Sequence, residues 1–304
     1  MIVVTGATGN VGRPLVEALA AAGEEVTAVS RSITEGAQGG ALGGSRDGRG
    51  GAPAGSRDGR GGGAVEGWGG GVRRVRGDLA EAESLKPALD GADAVFLLTA
   101  ADFLADGDLG KVMEVVKAAG VERVVLLSSQ GVGTKRHPAD LEEAVTRSGL
   151  GWTMLRPGNF ASNALQWAES IRTQRTMAAP FADVALPAVD PDDIAEVAAA
   201  ALRDPSHVGH VYTLTGPAAI SPRQQAEAIA QAVGESVQFV ELSRDEAKSR
   251  MLAYMPEPVV EATLGALGTP SAAEQEVSPD VEKVLARPPR TFTDWVTRNL
   301  HVFK

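Results

Sequence analysis

Short apolar runs alternate with segments of helical periodicity along the first half of this chain. The runs cover residues 2–5, 25–30, 72–76, 94–99, 123–128 and 152–155. Residues 13–22, 82–89, 109–119 and 139–148 instead place their apolar side chains on one face of a helix. Strands joined through a helix run parallel, and continuous runs such as AVFLL suit a sheet that is covered on both faces. The pattern therefore predicts an α/β protein with a parallel sheet.

The pattern is looser in the second half of the chain. It predicts a helix over 190–202, a late sheet strand at 211–214, a helix that begins at Ser221 and a strand over 235–241. The tail from Ser243 onward is mostly helical in pattern. We expect this tail to pack as a smaller lobe over the carboxyl edge of the sheet, where open α/β sheets bind their ligands.

Residues 35–71 interrupt the alternation with a glycine-rich stretch of low complexity. The heptapeptide SRDGRGG occurs twice in it. Such a composition buries too little apolar surface to offset the entropy lost on ordering, so we interpret the stretch as an insertion between two strands. Its repeated arginines offer a second interpretation as phosphate contacts; they are Arg46, Arg49, Arg57 and Arg60. The composition favours the insertion.

Composition and charge exclude several classes of function. A formal net charge of −10 at pH 7 disfavours nucleic-acid binding. The lack of cysteine excludes thiolate catalysis and cysteine-ligated metals, and four scattered histidines argue against metal catalysis. No apolar run approaches the roughly 20 residues of a membrane span, and the first residues do not resemble a signal peptide. We therefore expect a cytoplasmic protein with a small-molecule substrate and with no metal, nucleic-acid or membrane partner.

The turn Thr5-Gly6-Ala7-Thr8-Gly9-Asn10-Val11-Gly12 carries the strongest functional signal. It follows a strand and opens a helix within a strand–helix–strand unit, which is the setting of a dinucleotide-binding turn. Gly6 would allow the tight turn, Gly9 would let a pyrophosphate approach the backbone, and Gly12 would let the helix pack closely on the strand. The spacing is GxxGxxG rather than the commoner GxGxxG. The motif nevertheless predicts a bound dinucleotide.

These signals divide the chain into two parts. Residues 1–160 are expected to form the dinucleotide-binding domain of a Rossmann-type doubly wound parallel sheet. Residues 161–304 are expected to complete the sheet and to form the smaller, mostly helical C-terminal substrate lobe.

Ser30 and Arg31 end the second predicted strand, where the preference between NAD and NADP is set. A carboxylate at this place would hold the 2′-hydroxyl of NAD, whereas a guanidinium beside a hydroxyl suits the 2′-phosphate of NADP. An arginine that only stacks on adenine is the alternative. The sequence therefore favours NADP(H), with NAD(H) as the second choice.

The chain resembles the atypical short-chain dehydrogenase/reductase superfamily, in particular its NmrA-like, NAD(P)-binding family. The resemblance spans nearly the whole chain apart from the insertion. The motifs that carry it are TGATGNVG at 5–12, RGDL at 76–79, LLSS at 126–129, SGLGWTMLRPGNFASN at 148–163, VDPDDIAEVA at 189–198 and YTLTGP at 212–217.

This resemblance implies where a cofactor would lie. Residues 78–79 would flank the adenine, 99–101 would pass the ribose, 128–129 would line the nicotinamide side and 157–160 would cover the nicotinamide. With the glycine-rich turn, the expected cofactor contacts are Gly6, Thr8, Gly9, Asn10, Val11, Gly12, Ser30, Arg31, Asp78, Leu79, Thr99, Ala100, Ser128, Pro157, Gly158 and Asn159. Asp78 has an alternative role as a helix cap, and Ser128 as the end of a strand.

The Tyr/Lys pair with which catalytic members of the superfamily protonate a carbonyl is absent from this sequence. Neither of the two tyrosines, Tyr212 and Tyr254, is followed by a lysine four residues later. Counting back from the LRPG motif places the expected pair on Thr134 and Pro138. Any catalysis must therefore use another acid or an acceptor that needs little help.

Three residues around the loop after the fifth predicted strand are the candidates for that acid: Ser129, Lys135 and His137. Histidine titrates close to neutrality, which suits proton transfer. A surface histidine at the start of a helix is an equally good interpretation. The candidates for the substrate pocket are Phe160, Asn163 and Trp167. A tryptophan on a helix also occurs commonly in the core.

The leading hypothesis for function is an NAD(P)H-dependent oxidoreductase of the atypical short-chain type. Its acceptor would be quinone-like, aromatic or otherwise conjugated, because such acceptors need little acid catalysis. One alternative is a redox-sensing regulator that binds NAD(P) without turnover and reports to a protein partner; the missing Tyr/Lys pair is its main support. Another is a tailoring reductase or oxygenase of secondary metabolism on the same fold.

Overall fold

The computed structural model describes residues 1–33, 68 and 71–304, so most of the expected insertion at 35–71 lies outside the described residues. The elements up to the sixth strand are β1 (Ile2–Thr5), α1 (Gly12–Ala21), β2 (Val26–Ser30), β3 (Val72–Arg76), α2 (Lys86–Leu89), β4 (Ala94–Leu98), α3 (Ala101–Asp106), α4 (Leu109–Ala118), β5 (Arg123–Leu127), α5 (Gln130–Gly133), α6 (Asp140–Arg147) and β6 (Gly151–Pro157).

The second half begins with a 3₁₀ helix at Ala161–Trp167. The elements that follow are α7 (Ala168–Gln174), β7 (Thr176–Pro180), β8 (Leu186–Pro187), α8 (Pro191–Arg203), β9 (Val211–Leu214), β10 (Ala219–Ile220), α9 (Pro222–Val233), β11 (Gln238–Leu242), α10 (Arg244–Met251), α11 (Glu257–Gly268), α12 (Ala272–Gln275), α13 (Asp280–Leu285) and α14 (Phe292–Arg298). Among the described helices, none is long and apolar enough to cross a membrane.

Seven strands form one parallel sheet in the order β3-β2-β1-β4-β5-β6-β9. Val3 of the interior strand β1 lies between Thr27 of β2 and Val95 of β4. The direction in which strands are added reverses between β1 and β4, which opens a crevice at the carboxyl edge of the sheet. This order confirms the Rossmann-type doubly wound fold, and the late strand expected at 211–214 is β9 beside β6.

Helices cover both faces of the sheet with aliphatic side chains. On one face α1 and α8 pack together, and Leu15, Leu19 and Ile194 are fully buried there. On the other face α4 contributes Val112 and Val116. Each large aliphatic side chain buried in this way contributes roughly 1.5–3 kcal/mol, so aliphatic residues supply most of the stabilisation on these two faces.

The region after β6 has two small sheets and most of the short helices. The strands β7 and β11 pair in parallel, with Met177 opposite Phe239. The strand expected over 235–241 is therefore β11, shorter than expected and outside the main sheet. Helices α9 and α14 pack around Ile229 and Trp295, and the C-terminal region is mostly helical, as predicted.

Some elements differ from the sequence prediction because they are short or irregular. Residues 82–89 form a 3₁₀ helix at Ala82–Leu85 followed by α2 rather than one helix. Pro87 lies in the first turn of α2 and has no amide hydrogen to donate to the preceding turn. The sequence pattern does not predict α3, α5 or β7.

Arginines of the C-terminal tail bind the acidic start of α8. Arg287 and Arg290 both donate to Asp193, which is fully buried, and Arg298 donates to Asp190. Burial raises the pKa of Asp190, although the hydrogen bonds that it accepts from the Asp192 backbone and from Arg298 oppose the shift. The segment VDPDD at 189–193 therefore fixes the tail to the start of α8.

Candidate active site

The turn between β1 and α1 uses its three glycines in different ways. Gly6 has a φ of +63°, a conformation that side chains disfavour. A Cβ at Gly12 would lie 2.1 Å from the carbonyl oxygen of Gly6, so only glycine fits against the strand. A Cβ at Gly9 would have one neighbour, the same oxygen at 3.3 Å, and Gly9 is exposed. The space outside Gly9 is therefore open for a ligand at the helix N-terminus.

Hydroxyl groups join this turn to the end of β2. Thr8 Oγ1 lies 3.1 Å from Ser30 Oγ, which lies 3.4 Å from Ser32 Oγ. Arg31, between the two serines, is exposed. The turn predicted to hold the pyrophosphate thus lies beside the strand end predicted to hold the 2′-phosphate of the adjoining ribose. Helix-terminal amides, hydroxyls and an arginine are the donors that a pyrophosphate and a 2′-phosphate require, so the turn fits such a group.

The other side of the turn faces the C-terminal half. Asn10 is exposed and donates from Nδ2 to Ser162 Oγ at 3.3 Å, while Val11 is buried in the core under α1. Asp78 accepts the Ala80 amide at 3.0 Å, which shapes the turn before the 3₁₀ helix rather than capping it. Leu79, in the same turn, is partly buried and packs against the hydrophobic core that includes Leu85.

Thr99 and Ala100 connect β4 to α3 and are partly buried. The Ala100 carbonyl accepts the amide of Leu104, so this connection leads directly into a helix. The connection lies at the carboxyl end of β4, between the glycine-rich turn after β1 and the segment after β5. These two residues remain predicted ribose contacts.

A buried carboxylate that the sequence did not reveal fixes the end of β5. Ser128 donates to Glu142 at 2.5 Å, and Arg156 of β6 donates to both oxygens of Glu142 at 2.9 and 2.6 Å. Burial raises the pKa of Glu142, but the bonds from Arg156 and Ser128 outweigh it and hold the pKa below its ordinary value. An ionised Glu142 on α6 therefore holds Ser128 in a fixed orientation.

Ser129 and His137 are brought together, as the sequence could not show. Ser129 Oγ lies 3.0 Å from His137 Nδ1 and also accepts the Gly131 amide at 3.1 Å, which caps α5. Lys135 is exposed and has a φ of +61°, so it forms the turn that returns the chain to Ser129. Of the three acid candidates, the structure pairs two and places the third on the connecting turn.

The loop after β6 begins at the carboxyl end of that strand and bonds to the neighbouring strand β9. The Gly158 amide donates to Leu214 of β9 at 2.9 Å, and Pro157 is buried. Asn159 Oδ1 accepts Asn163 Nδ2 at 2.8 Å, which brings an expected cofactor contact to an expected substrate contact. Phe160 is partly buried and forms a bridge with Val189.

Trp167 is placed differently from the other two substrate candidates. Its indole Nε1 donates to the Ala178 carbonyl at 2.9 Å, and the ring packs partly buried against the cluster between α7, α9 and α14. This is the core environment that the sequence offered as its alternative. A direct contact of Trp167 with substrate stays a prediction.

The short helix α12 of the C-terminal region contacts the loop after β5. Arg136 donates to both oxygens of Glu274 at 2.7 and 2.8 Å, and Gln130 donates to the Ala273 carbonyl at 3.2 Å. The hydrogen bond from Arg136, with further bonds from Ser271, lowers the pKa of the buried Glu274 to about 2. Helix α12 is therefore tied to the loop after β5 by a charged pair.

Neither tyrosine is placed as the missing acid. The Tyr212 hydroxyl lies 2.7 Å from His207 Nδ1, in the loop that precedes β9. Tyr254 follows α10 and is 64% exposed. The lack of a Tyr/Lys pair, read from the spacing, thus agrees with the positions of both side chains.

The described architecture and its turn have relatives of known activity. The (4-alkanoyl-5-oxo-2,5-dihydrofuran-3-yl)methyl phosphate reductase of Streptomyces griseus is 35% identical over 311 residues, which covers 100% of this chain and 99% of that protein. The NAD(P)H azoreductase of Xenophilus azovorans is 33% identical over 244 residues, or 77% of this chain and 84% of that one.

A solved structure shows the same fold. The NADPH-dependent quinone oxidoreductase of Escherichia coli, complexed with NADPH, superposes with a TM-score of 0.74 at 19% identity and covers 99% of this chain and 100% of that one. The NmrA-like family matches residues 1–287, which include every residue of the candidate site. The chain therefore belongs to the NmrA-like family.

Proposed function

We propose that this protein is an NADPH-dependent reductase whose acceptor is an electron-poor conjugated molecule, such as an unsaturated lactone, an enone or a quinone. The observation that carries the proposal is the open space outside Gly9 at the start of α1, beside the hydroxyls of Thr8 and Ser30. The coarser assignment, an NAD(P)H-dependent oxidoreductase, agrees with the reductase names of the Streptomyces and Xenophilus relatives. The acceptor class is the finer part of the proposal.

The cofactor assignment rests on what the turn and β2 can donate. The amides at the start of α1 would hold the pyrophosphate outside Gly9, and Arg31 with Ser30 would hold the 2′-phosphate. Bound there, NADPH supplies the hydride. Relatives of the fold are named for NADPH or NAD(P)H, which supports NADP(H) as the preferred cofactor with NAD(H) as the second.

The acceptor class follows from the acid that is missing. An isolated ketone that receives hydride becomes an alkoxide, and a positioned acid typically accelerates that step about 10²–10⁴-fold. A quinone or an unsaturated lactone spreads the added charge over several atoms, so it tolerates a weaker acid. The named substrate of the Streptomyces relative contains an unsaturated lactone ring, and the other two relatives are named for azo and quinone chemistry.

Turnover with matched acceptors tests the proposal. NADPH consumption is measured with a butenolide, a quinone, an enone and the saturated ketone that corresponds to the enone. We expect the conjugated acceptors to react at least about a hundredfold faster than the ketone, because only the ketone lacks charge delocalisation. The Gly9→Val variant serves as a cofactor-deficient control and should be inactive with all four. A ketone that reacts faster than the conjugated acceptors would refute the acceptor class.

The alternative function, a redox-sensing regulator, remains if the protein reduces none of these acceptors. Tight NADPH binding without consumption of any acceptor would support an NAD(P)-sensing protein that acts on a protein partner. A tailoring enzyme of secondary metabolism is compatible with the same site, and turnover of the butenolide in preference to simple quinones would favour it.

A further inference from the structure

We infer that Ser129 and His137 form a proton relay that takes the place of the missing tyrosine and lysine. Ser129 is the catalytic residue that donates the proton to the reduced acceptor, and His137 is the positioning residue that resupplies it. The inference rests on the proposed function, since a proton is needed only where an acceptor receives hydride. It adds the source of that proton to the reaction.

The hydrogen bonds of Ser129 leave its own proton available. Its Oγ accepts the Gly131 amide at 3.1 Å and lies 3.0 Å from His137 Nδ1. With the amide occupying one lone pair, the hydroxyl can accept a proton from the imidazole while it gives its own to another group. A serine with this pattern conducts a proton rather than only ending a strand.

The position of the imidazole is built into the backbone. A Cβ at residue 131 would lie 2.5 Å from His137 Nδ1, so glycine is required for the ring to reach Ser129. The Gly131 carbonyl accepts the amides of both Arg136 and His137 at 2.8 and 2.9 Å, and Lys135 supplies the turn between them. A solvated surface histidine would need none of these features.

The surroundings suit the two ends of a relay. Ser129 lies at the carboxyl end of β5, next to Ser128, which Glu142 holds in place. Gln130 follows it and donates to the Ala273 carbonyl of α12. His137 is exposed, so solvent can return a proton to it. The serine is therefore partly shielded from solvent, whereas the histidine is open to it.

The step balances with one proton from solvent. The acceptor gains a hydride, and with it two electrons, from the reduced nicotinamide, which is oxidised. The O–H bond of Ser129 breaks as its proton passes to the negatively charged oxygen or carbon of the acceptor. The Nδ1–H bond of the protonated His137 then breaks as that proton passes to Ser129 Oγ, and water restores the proton on the imidazole.

Three variants test the relay. His137→Gln keeps a side-chain N–H that can bond to Ser129 but cannot transfer a proton. Gly131→Ala leaves every polar group in place and pushes the imidazole away from Ser129. Ser129→Ala removes the donor itself. We expect each to lower kcat for the enone about tenfold with KM nearly unchanged, which is less than a positioned acid typically contributes to ketone reduction because the enone delocalises the added charge. His301→Gln, which removes an exposed histidine in the C-terminal 3₁₀ helix, is the matched control and should keep wild-type kcat.

A second readout does not depend on turnover. The chain has four histidines, so the imidazole nitrogen signals are few enough to assign by NMR in the cofactor-free protein. The Nδ1 signal of His137 should shift in Ser129→Ala and in Gly131→Ala, and it should stay unchanged in His301→Gln. This measurement keeps the test informative where one variant folds poorly.

The outcomes separate the relay from the proposed function. If the wild type consumes NADPH with conjugated acceptors and all three variants stay within about threefold of it, the relay is wrong and the function stands. Loss of kcat in Gly131→Ala but not in His137→Gln would also overturn the relay, because a structural role of the loop would explain it. If no acceptor is reduced by the wild type, the proposed function fails first.

Discussion

The turn after β1 and the segment after β5 lie at the same edge of the same sheet, yet they are held in place by different means. The turn is built from eight consecutive residues, and its shape depends on glycines that touch one another's backbone. The segment after β5 depends on distant side chains, since Glu142 holds Ser128 and Glu274 holds Arg136. The difference shows that a site made of backbone amides can be encoded locally, whereas a site made of side chains is assembled by the fold.

The two regions should therefore respond differently to substitution. A change in the turn acts on ligand space or on the packing of α1, and each glycine has one of these roles. A change near β5 acts on the orientation of the Ser128 hydroxyl or on the attachment of α12. The following variants sharpen this contrast, in order of decreasing effect.

Gly9→Val should abolish tight dinucleotide binding while the protein stays folded. Its Cβ would meet only the Gly6 carbonyl oxygen, at 3.3 Å, so the fold has to adjust by only a few tenths of an ångström, but the branched side chain would occupy the space that a pyrophosphate needs. We expect NADPH affinity, measured by calorimetric titration, to fall at least about a hundredfold, or roughly 2.7 kcal/mol. Unchanged affinity would remove the turn from the cofactor site.

Gly12→Ala is the matched change three residues later, and it should act on stability instead. Its Cβ would lie 2.1 Å from the Gly6 carbonyl oxygen, so α1 has to move away from β1. Forced contacts of this kind typically cost about 1–3 kcal/mol, which thermal unfolding detects. If Gly9→Val instead lowers the melting temperature as much as Gly12→Ala, the two glycines do not have separate roles.

Arg31→Ala should separate the two dinucleotides. A charge-assisted contact with a phosphate contributes roughly 1.5–3 kcal/mol, so NADPH affinity should fall about ten- to a hundredfold. NADH lacks the 2′-phosphate and should bind as it does to the wild type. Arg147→Ala, which removes another exposed arginine, on α6, controls for the loss of charge. Equal losses for both cofactors would mean that Arg31 only stacks on adenine.

The same contrast explains how much the sequence could predict. The parallel sheet and the glycine-rich turn follow from local apolar runs and from contiguous residues, and both are found as expected. The strand β7 has the sequence TMAAP, which is weakly strand-like, and it becomes a strand by pairing with β11, whose first residue Gln238 pairs with Thr176. No local pattern marks such a partner.

The candidate site shows the same limit. Ser129, Lys135 and His137 could be chosen by residue type, and the 3.0 Å contact between Ser129 and His137 required the fold. Glu142 was missed because a glutamate on an amphipathic helix is usually solvated, and its partner Arg156 belongs to a strand. The charged residues of α6 offered no signal that distinguishes Glu142 from Glu143, which is exposed.

The smallest expected effect concerns the ion pair between Arg136 and Glu274, which ties α12 to the loop after β5. Bonds from Arg136 and Ser271 lower the pKa of Glu274 from 4.5 to about 2, so folding favours its ionised form. The stabilisation is complete above about pH 5 and is lost as the pH falls toward 2. Glu274→Gln should cost about 1–2 kcal/mol of folding free energy at pH 7, or roughly 2–6 °C in Tm, and this difference should shrink between pH 5 and pH 3.

Glu276→Gln, which replaces an exposed carboxylate two residues later, is the control and should change Tm little at either pH. Hydrogen exchange of the amides at 269–275 checks the location, because only Glu274→Gln should accelerate it at pH 7. A Tm difference that is constant from pH 7 to pH 3 would show that the ionised pair does not hold this segment.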